Sequence, residues 1–462
     1  MNRIVPIVLA VALFMETMDA TVIATSLPVI AADLNTSPIA LKLALTSYYV
    51  SLAIFIPVSG RLADRFGAKN IFRLAIAVFM AGSLACAAAS SLEGFVASRF
   101  LQGVGGAMMT PVGRLLLVRA VPKADLVGAM AWFTIPALIG PLIGPPLGGA
   151  IATYSDWRWI FLINLPIGAI GILLATRFLP FVERVRGVSF DAPGFLLSGF
   201  ACAGLVFGFS IISLPALPPV FGVFLVLAGA VSALFYVRHS RRAPTPIVRL
   251  TLLRIATLRV SVVAGTLFRV GTGAVPFLLP LMLQIGYGYT ALQSGLVASA
   301  SMGGAIVMKV LAKPILRRFG FRSTLMCSTL VGGALIVAIG LEALSGSIIA
   351  LIGLLLVGGF FRSLFFTGIN TLGFADLSTQ QTGDATAMMA ATQQVSIAMG
   401  VAIAGIVLEA GMAVMGTTTP QITDFALAFM VSGALMMTAA LPFLSLSSEA
   451  GDEVAGRSIP AE

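Results

Sequence analysis

Long apolar stretches separated by short polar segments run through almost the whole chain. A bilayer core about 30 Å thick requires roughly 20 apolar residues per membrane-spanning helix. Stretches of that length predict fourteen spans, with bounds near 4–24, 41–60, 71–90, 95–117, 126–152, 159–179, 193–213, 218–237, 260–284, 294–312, 323–343, 348–372, 385–408 and 424–446. The pattern therefore predicts an all-α polytopic membrane protein.

The composition supports lipid as the solvent of these helices. Hydrophobic residues make up 58% of the 462 residues and charged residues only 10%, whereas soluble domains carry about 25% charge. We interpret the apolar run from Ile4 as a retained first helix, because no small-residue cleavage site separates it from a soluble domain. Isolated cysteines and the lack of a GxxxxGK phosphate loop predict no metal site, no cofactor and no use of ATP.

The basic residues predict an orientation. If the N-terminus is cytoplasmic, most of the 28 lysines and arginines fall in cytoplasmic segments, notably 61–73, 114–123, 177–186, 238–259 and 313–322. The positive-inside rule then places both termini in the cytoplasm. The net charge of +10 belongs to these short loops and does not predict nucleic-acid binding. The single histidine, His239, lies in the basic loop RHSRR and is expected to be a solvated surface residue.

A faint internal repeat predicts the domain organisation. Leu-Pro at 27–28 recurs at 279–280, and RFGAK at 65–69 recurs as RFGFR at 318–322, at offsets of 252 and 253 residues. Two parallel six-helix repeats with two inserted helices between them account for this spacing. The predicted domains are an N-terminal six-helix bundle (1–186), an inserted two-helix linker (187–250), a C-terminal six-helix bundle (251–446) and a cytoplasmic tail (447–462).

Two acids lie deep in the first predicted span, FMETMDATVIATSLP. Counted from Ile4, Glu16 and Asp19 lie about 18 and 23 Å along the helix, and their spacing of three places them on one face. An intramembrane carboxylate is costly and marks a functional site by default. Burial and a second carboxylate both favour proton uptake. We therefore predict proton coupling at Asp19 and Glu16, with a neutral acid that locks two helices as the alternative.

Three arginines also lie at depth, Arg99, Arg269 and Arg362, in spans four, nine and twelve. We predict that they bind substrate or neutralise the acids, and the alternative is a structural ion pair. Because deep arginines outnumber deep acids by three to two, an organic anion or a metal chelate is the alternative to a lipophilic cargo. A polytopic membrane enzyme is a remote alternative, since no DxxxD or HxxxH cluster is present.

The loop GRLADRFGAKN, residues 60–70, combines one acid with several bases in a tight turn between two helices. Charge-assisted bonds from such a loop to a neighbouring helix end can hold one conformation and break in another. The alternative is a plain positive-inside loop. We predict a conformational gate formed by Gly60, Asp64, Arg65, Gly67 and Lys69. The corresponding loop of the second half, KPILRRFGFR, has Arg317 in place of the acid.

Several of these segments together resemble one family. GRLADRFGAK is similar to the loop motif of the major facilitator superfamily, and SRFLQGVGGA (98–107) is similar to its fourth-helix motif. DATVIATSLP (19–28) and WRWIFLINLPIG (157–168) resemble segments of its fourteen-span drug:proton antiporters of the EmrB/QacA type, and TQQVSIAMGVAI (392–403) is a looser match. The resemblance covers about residues 5–445 and extends to the MdtD-type exporters in particular.

The stretch IGPLIGPPLGGAI, residues 139–151, holds three prolines and four glycines inside an apolar span. Its GxxxGPxxGG pattern resembles the fifth-helix antiporter motif of that family. GxxxG spacing allows close helix approach, and proline bends a helix. We predict a kinked hinge between the halves, and the alternative is a tolerated glycine-rich packing helix. The hinge residues are Gly140, Gly144, Pro145, Gly148 and Gly149.

The resemblance implies a secondary antiporter that exchanges protons for small, drug-like molecules by alternating access. Its cavity is expected between the two bundles near the bilayer midplane. We expect it to act as a monomer in the lipid bilayer of a prokaryotic inner membrane, with the substrate and protons as its other partners.

Overall fold

The computed structural model describes residues 4–122, 125–181, 190–212, 214, 217–378, 380–447, 449–451 and 453, and in that part the chain is helical without strands. The predicted domain boundary at 186/187, the bases Lys123, Arg184 and Arg186, and most of the tail 447–462 lie outside the described residues. The helices are α1 (Ile4–Val22), α2 (Leu27–Asp33), α3 (Lys42–Phe66), α4 (Ala68–Ala88), α5 (Leu92–Ala120), α6 (Leu126–Tyr154), α7 (Trp159–Leu162), α8 (Asn164–Phe178), α9 (Ala192–Ile212), α10 (Pro219–Arg242), α11 (Ala256–Gly273), α12 (Val275–Leu281), α13 (Ala291–Phe319), α14 (Phe321–Ser345), α15 (Ile348–Leu372), α16 (Thr382–Met415) and α17 (Ile422–Met437).

Thirteen helical segments of the described chain are long and apolar enough to cross a membrane. They coincide with thirteen of the fourteen predicted spans. The remaining predicted span, the fourth, is α5, whose 29 residues are long enough to cross but include Arg99, Gln102 and several glycines. These polar and small residues lower its hydropathy. The all-helical, multi-pass membrane class is therefore confirmed.

The helix pairings of the first half recur in the second. In the N-terminal half, α1 packs against α6 and α8, and α5 packs against α3 and α4. In the C-terminal half, α11 packs against α16 and α17, and α15 packs against α13 and α14. Gly67 (φ +93°) and Gly320 (φ +74°) make equivalent turns, with a backbone conformation that favours glycine. The packing thus has the internal symmetry that the offset of about 252 residues predicts.

The two halves meet along two seams. One seam is α3 against α16, and the other is α6 against α13. The inserted helices α9 and α10 pack on each other as a hairpin, and α9 lies against both α3 and α16. The hairpin therefore covers the first seam and leaves the second uncovered by inserted helices. The predicted domain boundaries themselves stay a prediction.

Buried aromatic residues fill the interior of each half. Phe72, Phe79 and Phe133 belong to a buried apolar cluster of the N-terminal half, whereas Phe277 and Phe365 belong to a larger one centred on the C-terminal half. Because lipid is as apolar as these side chains, burial alone does not drive helices together in a bilayer. Close packing and interhelical hydrogen bonds must therefore hold the seams.

Candidate transport site

Asp19 lies inside the N-terminal half with no exposed surface. The guanidinium of Arg99 donates from Nη1 to Asp19 Oδ2 at 2.7 Å. Gln102 and Asn164 each donate from their side-chain amide nitrogens to Asp19 Oδ1 at 2.8 Å. An ionised carboxylate only accepts hydrogen bonds, so a cation and two amide donors suit its charged form. The arrangement is a fully enclosed ion pair with additional hydrogen bonds.

The same cluster reaches two further helices. Ser83 of α4 accepts hydrogen bonds from Gln102 at 2.8 Å and Asn164 at 3.3 Å. The guanidinium carbon of Arg99 lies 4.3 Å from the centre of the Tyr48 ring on α3. We call this set the Asp19 cluster; its members are Asp19, Tyr48, Ser83, Arg99, Gln102 and Asn164. Hydrogen bonds to the remaining atoms offset the cost of a buried ion pair, and here they join α1, α4, α5 and α8, while α3 contributes the Tyr48 ring. Arg99 Nε, Asn164 Oδ1 and the Tyr48 hydroxyl have no hydrogen-bond partner among the described residues.

Glu16 lies one helical turn from Asp19 but has a different environment. It is partly exposed, and its Oε2 accepts a hydrogen bond from the hydroxyl of Thr110 on α5 at 2.5 Å. No cation of the described chain lies within ion-pair distance of Glu16. The two acids share a helix face as predicted, yet only Asp19 belongs to the enclosed cluster.

The C-terminal half also contains a buried arginine, Arg269 of α11. It is 2% exposed, and its Nε and Nη2 have no hydrogen-bond partner in the part of the chain that the structure describes. Its guanidinium carbon lies 5.4 Å from the centre of the Phe366 ring. Phe268 and Phe365, stacked 3.6 Å apart, lie in the same region of α11 and α15. The surroundings of this cation are aromatic instead of acidic.

Arg362 of α15 is partly buried and forms one long hydrogen bond, from Nη2 to the hydroxyl of Ser301 at 3.4 Å. The three predicted substrate-binding arginines are thus not brought together. Arg99 pairs with Asp19 in one half, while Arg269 and Arg362 lie in the other. Neither of these two forms an ion pair with a described acid.

The predicted gate residues bond to helix ends of their own half. Asp64 accepts from Arg119, in the last turn of α5, at 2.7 Å. Lys69 donates to the carbonyls of Thr176 and Leu179, where α8 ends, at 3.0 and 2.7 Å. A cation at a helix C-terminus is favourable. These contacts are the kind that the sequence predicts for a gate.

The other gate residues contribute less. Arg65 is exposed, and a Cβ on Gly60 would meet nothing within 4 Å, so packing does not require glycine there. Arg61, which the sequence prediction left out, donates to the carbonyl of Pro246 at 2.7 Å. This bond joins the loop region to the segment that follows α10, before the C-terminal half begins.

The predicted hinge lies where α6 contacts both α1 and the opposite half. A Cβ on Gly144 would lie 2.1 Å from Thr21 Oγ1, and one on Gly148 would lie 2.1 Å from the carbonyl oxygen of Val22. On the other side, a Cβ on Gly149 would lie 2.3 Å from the carbonyl oxygen of Ala291 on α13. Real Cβ atoms do not approach this closely, so the seam depends on glycine.

The remaining hinge residues take part in the same packing. A Cβ on Gly140 would lie 2.4 Å from Thr17 Oγ1, and the carbonyl oxygen of Pro145 would lie 2.2 Å from a Cβ on Gly295 of α13. The helix runs without interruption from Leu126 to Tyr154 despite four internal prolines. The location between the halves is as predicted, while bending during transport stays a prediction.

Polar contacts join the halves at one end of the molecule. Lys42 Nζ lies 3.5 Å from Glu409 Oε1, with the lysine fully buried. Gln284 donates to the carbonyl of Thr25 at 2.8 Å, and the amide of Leu292 donates to Thr153 Oγ1 at 3.1 Å. The positive-inside prediction assigns this end to the outside, so we describe the structure as closed at the predicted outer end.

Sequence reasoning missed four members of the Asp19 cluster: Tyr48, Ser83, Gln102 and Asn164. Gln102 and Asn164 lie within segments that resemble family motifs, and each is a polar residue in an apolar span. That signal, an amide at membrane depth, could have found them. Nothing local marks Ser83 or Tyr48, because only packing brings them to Asp19. His239, expected in solvent, is partly buried and lies 2.7 Å from Asp191.

The comparisons with known proteins agree with this architecture. Residues 9–401 match the Major Facilitator Superfamily. "Probable transport protein HsrA" of Haemophilus influenzae is 34% identical over 447 residues, 97% of this chain and 96% of that protein. "Putative multidrug resistance protein MdtD" of Pectobacterium carotovorum is 39% identical over 401 residues, 87% of this chain and 86% of that protein.

The fold is also that of solved transporters. The crystal structure of a D-xylose-proton symporter matches with a TM-score of 0.68 over 96% of both chains, at 15% sequence identity. Likeness at that identity supports the fold alone, whereas the family match extends over most of the chain. The predicted resemblance is confirmed, and the enzyme alternative is set aside. The chain belongs to the Major Facilitator Superfamily and is a multi-pass membrane transporter.

Proposed function

We propose that the protein exports drug-like small molecules across a bacterial inner membrane in exchange for protons, by alternating access. The observation that carries the proposal is the Asp19 cluster, an acid and an arginine enclosed together at membrane depth. Support for the cargo comes from the relatives named for multidrug resistance, and support for the membrane comes from their bacterial source. The predicted carriers of the proton are Asp19 and Glu16.

The coupling follows from the contacts of Asp19. Protonation of the Asp19 carboxyl removes its negative charge and therefore its attraction to Arg99. The guanidinium would then be a buried cation without a counter-charge, which is strongly unfavourable. The helices that carry the cluster must rearrange to relieve it. A proton can thus bias the conformation, because it has different affinities for the two states.

Access to the proton site must change with conformation. Asp19 has no exposed surface in the structure, so a proton reaches it only when the cluster opens. Glu16, partly exposed and bonded to Thr110, offers a first acceptor one turn away. We infer that Glu16 receives a proton on the open side and that Asp19 senses it when the cluster rearranges.

Both seams between the halves must change when the transporter opens to the other side of the membrane. Opening the predicted outer end requires separating Lys42 from Glu409 and α6 from α13. Each proton that moves down a potential of 100 mV supplies about 2.3 kcal/mol. That energy corresponds to roughly fiftyfold accumulation of cargo per charge moved.

Inverted membrane vesicles with an imposed pH gradient test this proposal. We expect wild-type protein to transport a lipophilic cation, such as tetraphenylphosphonium, at a rate that depends on the gradient. Asp19→Asn is expected to reduce gradient-driven transport by about a hundredfold or more, because the variant cannot change charge. Asp33→Asn is the matched control, since Asp33 is exposed and bonds to Arg158 and Trp157 outside the cluster.

Two results would contradict the proposal. One is transport that does not respond to the pH gradient in the wild type. The other is an Asp19→Asn variant that keeps gradient-driven transport at the level of Asp33→Asn.

A second candidate keeps the transporter but changes the cargo to an organic anion or a metal chelate. The observation in its favour is Arg269, which is buried without an acidic partner in the described chain. A carboxylate of the cargo would supply the missing counter-charge and the hydrogen-bond acceptors. Arg362, on the adjacent helix α15, is a further cation of the same half.

A further inference from the structure

A cleft of about 710 Å³ opens at the end of the inserted hairpin where α10 finishes. It is lined by Leu197 of α9 and by Phe235, Arg238, His239 and Arg242 of α10. The four α10 residues follow one another at intervals of three, one and three, so they share one face of the helix. The cleft therefore combines apolar and basic side chains on a single helix face.

The charge of the cleft is positive. Arg238 and Arg242 are exposed, and neither forms an ion pair with an acid in the described part of the chain. The nearby acid, Asp191, is 7% exposed and already bonds to His239 Nε2 at 2.7 Å. It also accepts from the amide of Gly194 at the start of α9, at 3.0 Å. The two arginines are thus available to an anion.

The cleft lies at the level of lipid headgroups. The apolar part of α10, residues 219–237, is about 28 Å long at 1.5 Å per residue, which matches the thickness of a bilayer core. Arg238 and Arg242 then project into the interface, with Phe235 just inside the hydrocarbon. Among the spans of the described chain, α10 has the smallest share of its apolar window buried in the protein, 17%. Its neighbours are therefore mostly lipids.

We propose that this cleft binds the headgroup of an anionic phospholipid. The phosphodiester accepts hydrogen bonds from Arg238 and Arg242, since guanidinium groups match phosphate oxygens in geometry and charge. The acyl chains lie along Phe235 and Leu197. Basic pockets between membrane helices at the interface are suited to such lipids. A soluble phosphate would use the arginines but not the apolar wall.

The position of the cleft gives the lipid a structural consequence. The hairpin covers the seam between α3 and α16. Two hydrogen bonds attach the segment after α10 to the hairpin and to α3. Tyr236 of α10 donates to the carbonyl of Val248 at 3.0 Å, and Arg61 of α3 donates to the carbonyl of Pro246 at 2.7 Å. A bound lipid therefore anchors the hairpin in the membrane beside one of the two places where the halves meet.

Lipid titration of the purified full-length protein, followed by native mass spectrometry, tests the proposal. Phosphatidylglycerol and phosphatidylcholine with identical acyl chains are compared. We expect phosphatidylglycerol to bind at least tenfold more tightly to the wild type. The double variant Arg238→Gln/Arg242→Gln should bind it about thirtyfold more weakly, roughly fivefold for each arginine. Arg241→Gln, on the same turn but outside the lining, is the matched control and should change affinity less than twofold.

Three outcomes would overturn the proposal. The first is equal binding of the two lipids by the wild type. The second is a loss in Arg241→Gln as large as in the double variant, which would indicate a diffuse charge effect. The third is displacement of phosphatidylglycerol by an equal concentration of glycerol phosphate, which would indicate a site for a soluble phosphate. Unchanged thermal unfolding of the variants confirms that the exposed substitutions leave the fold intact.

Discussion

Each half of the transporter buries an arginine, but the two arginines have different surroundings. Arg99 is 1% exposed, and its guanidinium lies 2.7 Å from Asp19. Arg269 is 2% exposed and its guanidinium lies beside the Phe366 ring, with Nε and Nη2 lacking partners among the described residues. Desolvating either cation is costly. Among the described residues, a counter-charge offsets that cost only in the N-terminal half.

The two halves are alike in how their helices pack but differ in the charged residues that they bury. The helix pairings of one half recur in the other, because each half is a bundle of six helices packed in lipid. The polar interiors do not recur. The N-terminal half contains both acids of the proposed proton site, whereas the C-terminal half contains a buried cation that forms no ion pair with a described acid. We infer that protons and cargo act mainly on different halves.

The largest difference between the two halves is expected when each buried arginine is replaced by glutamine. Arg99→Gln leaves Asp19 as a buried unpaired charge, so we expect a loss of about 3–5 kcal/mol in the free energy of unfolding. Arg269→Gln removes a charge that has no acidic partner in the described part of the chain, so we expect stability to stay the same or to rise. Thermal and denaturant unfolding in detergent measure the stability of both variants against the wild type.

The double variant Asp19→Asn/Arg99→Gln provides the control for that experiment. It removes both charges together and should recover part of the stability that Arg99→Gln loses. Equal losses in Arg99→Gln and Arg269→Gln would show that Arg269 has a counter-charge after all.

The chemistry of the cargo should depend on Arg269 of the C-terminal half. If Arg269 binds an anionic group, Arg269→Gln should weaken transport of an aromatic carboxylate about tenfold to a hundredfold, the value of one lost charge-assisted hydrogen bond. Transport of tetraphenylphosphonium should not change. Efflux assays with both cargoes in the same vesicles provide the measurement. Arg269→Lys, which keeps the charge, should retain more anion transport than Arg269→Gln, and an equal loss for both cargoes would speak against an anion site.

The seam between the halves should respond more modestly. Gly149→Ala adds a methyl group that would lie 2.3 Å from the carbonyl oxygen of Ala291, so α6 and α13 must move apart. Overpacking of this kind costs about 1–3 kcal/mol, and we expect turnover to fall about fivefold to tenfold with normal membrane insertion. Gly303→Ala is the matched control, since a Cβ there meets nothing within 4 Å. Equal turnover in both variants would remove the seam from the mechanism.

The candidate site was only partly predictable from the sequence. Glu16 and Asp19 stand out because acids are rare in apolar spans, and the spacing of three correctly places them on one face. Their different surroundings could not be predicted, because α5 and α8 decide which acid is enclosed. Arg99 was predicted to bind substrate or to neutralise an acid, and the structure shows the second arrangement. Its pairing joins residues 80 positions apart.

The pattern of apolar residues is enough to predict the helical class, the approximate position of each span and the depth of the unusual charges. These features are local, because lipid offers no hydrogen bonds and each segment must therefore satisfy its backbone within its own helix, whose length follows from the bilayer thickness. The folded structure was needed to show that Asp19 meets Arg99, that Arg269 meets no acid of the described chain, and that α6 meets α13 through Gly149. Those contacts depend on how separate helices pack, which no local pattern encodes.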